Sequence, residues 1–102
     1  MKIEQIHLHM DKKEWTFAHS LAVLLATVMD SEKLIPAGVS KEDVMDACVI
    51  SAERSFIALR EENEDKIPEV EEFIMTTVNF ALNIMKGNVH VTRIESDDDS
   101  DA

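Results

Sequence analysis

The chain has 102 residues, 45% of them hydrophobic and 30% charged, with 10 Lys/Arg against 21 Asp/Glu and a formal net charge of −11. That length supports one core and leaves no room for separate cofactor and substrate domains. Two Gly, two Pro and a single Cys exclude collagen-like and disulfide-framework proteins.

From Lys2 to Met10 the pattern alternates: Ile6, Leu8 and Met10 share one parity, Gln5, His7 and His9 the other, as in a half-buried strand. Asp11 with Glu14 three residues on forms a capping box that opens a helix to about Asp30. Its apolar ridges, Phe17-Leu21-Leu24-Val28 and Ala18-Ala22-Leu25-Met29, cover more than half the circumference, which describes a helix covered on most sides. Pro36 and Gly38 break the chain, and Ser40 caps a second helix over residues 41 to about 62. Its inward stripe is Met45, Cys48, Ala52, Phe56 and Leu59. Ile50 and Ile57 share a ridge with Asp46, Glu53 and Arg60 and are expected to face outward.

An acidic junction follows, and Pro68 suits the first turn of a third helix. Glu69, Glu71 and Glu72 there complement the positive end of its dipole. Lys86 and then Gly87 give a cation and a glycine at the helix end. Val89 to Ile94 alternates as a second strand, and the Ser/Asp-rich residues 95–102 read as a disordered acidic tail. The expected fold is α+β and predominantly helical: β-α-α-α-β, a three-helix core, and short terminal strands pairing antiparallel. Residues 1–94 form one domain and residues 95–102 a flexible tail.

The charge is lopsided. Residues 1–51 hold 5 basic and 8 acidic side chains, and residues 52–102 hold 5 and 13. A field of that sign repels phosphate backbones and anionic membranes, so neither direct nucleic-acid binding nor membrane binding is expected; a basic protein surface is attracted. The segment Trp15–Met29 is shorter than a bilayer requires and lacks a cleavage site, which points to a cytoplasmic protein. Cys48 sits among apolar positions with Glu42 and Asp46 nearby, a setting for an inert thiol rather than a nucleophile. The sequence contains no phosphate-binding Gly loop, no Gly-x-Ser-x-Gly, no Cys-x-x-Cys and no His-Glu-x-x-His. No enzyme and no cofactor are implied.

Three sets of residues are candidates for function. The acidic corner Glu61, Glu62, Glu64, Asp65, Glu69, Glu71 and Glu72 is the expected partner-binding surface. Trp15, Phe17, Ile50 and Ile57 are expected oligomer contacts, because exposed apolar side chains mark contact patches. His7, His9 and His90 fall on the outer faces of the two strands, where antiparallel pairing would gather them in a geometry suited to Zn²⁺ or Ni²⁺. The expected function is therefore a small acidic interaction protein, itself a homodimer. It would inhibit or modulate a basic, nucleic-acid-binding partner as a nucleic-acid mimic does. The alternatives are a scaffolding homo-oligomer whose acids only solubilise it, and a metal or small-ligand site in a dimer cleft.

Overall fold

The computed structural model describes residues 1–61 and 69–95. Over these residues the chain runs β1 (Lys2–Leu8), α1 (Lys12–Ser31), α2 (Lys41–Glu61), α3 (Val70–Met85) and β2 (Val89–Glu95). Pro68 and residues 96–102 of the expected tail lie outside the described residues.

The local signals act as the sequence implies. The Glu14 N–H donates to Asp11 Oδ1 at 2.8 Å and the Asp11 N–H to Glu14 Oε1 at 3.0 Å, a complete capping box at the start of α1. Ser40 Oγ accepts from the Asp43 N–H at 3.1 Å and starts α2. α3 ends at Lys86, and Gly87 follows at φ +80, a left-handed turn that costs glycine nothing. The equivalent left-handed position after α1 is filled by Lys33 at φ 58, so that turn carries some backbone strain.

α2 is the middle helix, packed on α1 along one side and α3 along another. Met29 meets Cys48, His19 meets Glu53 and Phe17 meets Phe56, so α1 and α2 run antiparallel. The contact is made largely by small side chains, Ala18 and Ala22 of α1 against Ala47 and Ala52 of α2, all buried. Small residues there bring the helix axes close. On the α3 side the contact is polar and satisfied: Ser51 Oγ donates to the Thr77 carbonyl at 2.5 Å. Ser55 Oγ lies 2.7 Å from Thr77 Oγ1, which itself donates to the Phe73 carbonyl. Cys48 is buried with Sγ 3.8 Å from Met29 Sδ, and burial pushes its thiol up to about 11.

The two strands pair parallel, not antiparallel as expected, with Lys2 opposite Val89 and Leu8 opposite Glu95. The reason is parity. With successive elements running in opposite directions, three helices between two strands make four reversals, an even number that returns β2 in the direction of β1; the helical layer is itself the crossover that a parallel pair requires. A two-stranded ribbon is marginal alone, and here one face is covered. Ile6, Val89 and Val91 are buried against Ile50 of α2 and Phe80 and Ile84 of α3.

That packing also corrects the expected outward ridge of α2. Ile50 is half-buried, packed against the ribbon instead of facing solvent, and Ile57 is buried. Glu53, expected on the same outward ridge, is 0% exposed.

Candidate functional site

The ribbon is fastened to α2 by two crossed ion pairs. Glu4 and Arg93 fall on the ribbon's inner face, the parity of Ile6 and of Val91 respectively. The neighbouring α2 residues Arg54 and Glu53 point about 100° apart on the helix, one to each strand. Arg54 Nε donates to Glu4 Oε2 at 2.5 Å, and its guanidinium lies 4.0 Å over the Phe80 ring, a cation–π contact. Arg93 Nη2 donates to Glu53 Oε2 at 2.9 Å.

His19 Nε2 lies 3.7 Å from the same Glu53 oxygen, and its ring stacks on Trp15 with centroids 3.9 Å apart. Among the described residues, Glu53 Oε1 has no hydrogen-bond partner. Sequence reasoning missed this cluster. The available signal was the spacing Ile50-Glu53-Ile57, an acid flanked on one ridge by two isoleucines, which suits a covered face better than a solvated one.

The expected acidic corner is only partly described. Glu61 closes α2, and Glu62, Glu64 and Asp65 lie outside the described residues. Glu69, Glu71 and Glu72 are exposed around the N-terminus of α3, where the helix dipole favours them; Glu69 is the N-cap residue but makes no side-chain cap. Among these acids the same two turns expose apolar side chains: Val70 is 72% and Met75 63% exposed, with Ile74 also exposed. At the opposite end of the α2–α3 pair, Asp43 and Asp46 line an open depression of about 380 Å³ with Ile50, Ile84 and Met85.

The expected oligomer contacts separate. Ile50 packs against the ribbon and Ile57 is buried. Trp15 is half-exposed over His19, and Phe17 is exposed beside Phe56.

The histidines are not brought together. Parallel register sets His7 opposite Ile94 and His90 opposite Ile3. That is four strand positions apart, about 13 Å. His9 lies beyond the end of β1. Among the described residues, no group of three His, Cys, Asp or Glu is arranged to hold a metal ion, and no helix is long and apolar enough to cross a membrane.

Compared with known proteins, the sequence matches no family model, and no curated protein and no solved structure matches it.

Proposed function

We propose that the protein is a non-enzymatic interaction module that uses the first two turns of α3 to dock on a basic, amphipathic segment of a partner protein. One observation carries the reading: exposed Val70, Ile74 and Met75 alternate around the helix with exposed Glu69, Glu71 and Glu72. Acids alone on a helix N-terminus are explained by the dipole. Large aliphatic side chains left in water among them are not, and they supply apolar anchors of the kind a partner helix engages. The carboxylates then set orientation and association rate, while the apolar anchors hold the complex. A segment with Lys/Arg on one side and Leu/Ile on the other fits both. Basic segments of that kind often bind nucleic acid, so covering one would block that binding and make the protein an inhibitor or modulator of its partner.

The test is a fluorescence-anisotropy titration with a synthetic Lys/Leu amphipathic helical peptide. Raising salt from about 0.05 M to about 0.5 M should weaken binding by roughly tenfold or more. The double substitution Glu71→Lys/Glu72→Lys should weaken it comparably at low salt, and Met75→Ser should weaken it at both salt concentrations. A peptide that binds equally well to all three proteins contradicts the reading.

A further inference from the structure

α1 carries an apolar stripe that the other described residues leave exposed. Phe17, Leu24 and Val28 are 56%, 62% and 47% exposed, with Leu21 half-buried between them. At 3.6 residues per turn these four side chains fall within an arc of about 60°, about 100° round the helix from the buried ridge Ala18-Ala22-Leu25-Met29. Trp15 lies about 160° from Phe17 and belongs to a different side of the helix.

We propose that this stripe is a two-fold interface with a second copy of the chain, α1 lying antiparallel on its counterpart. Two features of α1 select a second copy as the occupant. The first is charge. Two molecules of net charge −11 repel each other wherever acids face acids. Between Glu14 and Asp30, α1 carries no Asp, Glu, Lys or Arg, so this face lets two copies meet without that penalty.

The second feature is self-complementarity, the requirement of a two-fold contact. Exposed Lys13 and exposed Glu32 flank the stripe at its two ends. Residues 13 and 32, 17 and 28, and 21 and 24 are each symmetric about the point between residues 22 and 23. An antiparallel pairing centred there sets Lys13 of each copy against Glu32 of the other, Phe17 against Val28, and Leu21 against Leu24. Between Glu14 and Asp30 a basic partner finds no carboxylate to pair with, whereas a second copy supplies a match for each of these positions.

The proposal concerns α1 and does not depend on the α3 docking surface, so a failed peptide titration leaves it standing. Its test is sedimentation velocity on the full chain across a concentration series, with circular dichroism to confirm folding. The wild-type chain should show a reversible monomer–dimer equilibrium. Leu24→Lys, at an exposed position, should give monomer with an unchanged spectrum. Lys13→Glu and Glu32→Lys should each weaken the dimer roughly tenfold through two like-charge contacts per dimer, and the double swap should restore it. Both swaps agree with the helix dipole, so neither endangers the fold.

Wild type that stays monomeric throughout overturns the proposal, as does a dimer that survives Leu24→Lys or a double swap that fails to recover. A monomer that floats with phosphatidylcholine vesicles and loses this with Leu24→Lys assigns the stripe to a lipid surface, and also overturns it.

Discussion

Arg93→Ala is expected to be the most damaging polar substitution in the molecule. It removes the guanidinium that donates to Glu53 at 2.9 Å and leaves a carboxylate that is 0% exposed, with His19 Nε2 as its remaining basic neighbour among the described residues, at 3.7 Å. Stranding a buried charge costs roughly 3–5 kcal/mol. The Arg93 side chain is itself 36% exposed, so water can partly take its place, and the low end of that range applies. For a domain of this size about 3 kcal/mol corresponds to a fall of roughly 12 °C or more in Tm.

Removing both charges tells a different story. Glu53→Met/Arg93→Met should lie within about 1 kcal/mol of wild type, since apolar replacement of a whole buried pair is often neutral. The other crossed pair is more exposed, with Glu4 22% and Arg54 30% accessible. Glu4→Ala should therefore cost only about 1 kcal/mol. Urea unfolding of the four proteins gives these differences directly. An Arg93→Ala protein within 0.5 kcal/mol of wild type, roughly the level of a surface substitution, would mean that Glu53 is not buried in solution.

The second large effect reverses the usual expectation about side-chain size. Ala22→Leu should destabilise by about 2–3 kcal/mol, whereas Val23→Ala, one residue along, should change stability by less than about 0.5 kcal/mol. Ala22 is fully buried where α1 lies on α2, and Val23 is about half-exposed. Added methylenes at Ala22 have no free volume to enter, because the alanines of both helices define the spacing between them. Removing methyls at Val23 takes them from water. Thermal unfolding of the two variants at one protein concentration checks the pair; equal losses at both sites would contradict close helix packing along the alanine ridge.

These two predictions also mark where the sequence is legible. Local signals were sufficient for the elements: the Asp11–Glu14 box, the Ser40 cap, the Lys86-Gly87 ending and two alternating segments locate all three helices and both strands. Each is a short-range interaction written in adjacent residues. Strand direction was misread as antiparallel: it follows from the four reversals along β-α-α-α-β, an even number, and is not visible in the alternation of either strand alone.

The inward turn of Ile50, Glu53 and Ile57 was harder to see. Which face of α2 is covered depends on where a ribbon built from the two ends of the chain comes to rest. An acid reads as solvated until its partner Arg93, forty residues away, is placed beside it. The metal reading of His7, His9 and His90 rested on antiparallel pairing, and parallel register separates those residues. Of the acidic corner, Glu69, Glu71 and Glu72 stand at the surface, as their place at a helix N-terminus implies. The apolar side chains exposed among them, Val70, Ile74 and Met75, were not singled out by the sequence reading, because the exposure of one apolar residue on a helix is set by what packs against it.

The measurement that bears most directly on the docking surface is an amide chemical-shift map of the labelled protein as the Lys/Leu peptide is added. The expected footprint is the segment Glu69–Met75, with Glu71 and Met75 among the largest shifts and the ribbon residues unmoved. A footprint centred on the depression at Asp43 and Asp46, or shifts spread evenly over every exposed carboxylate, would contradict a built docking site on α3 and reduce the acidity of this protein to solubility alone.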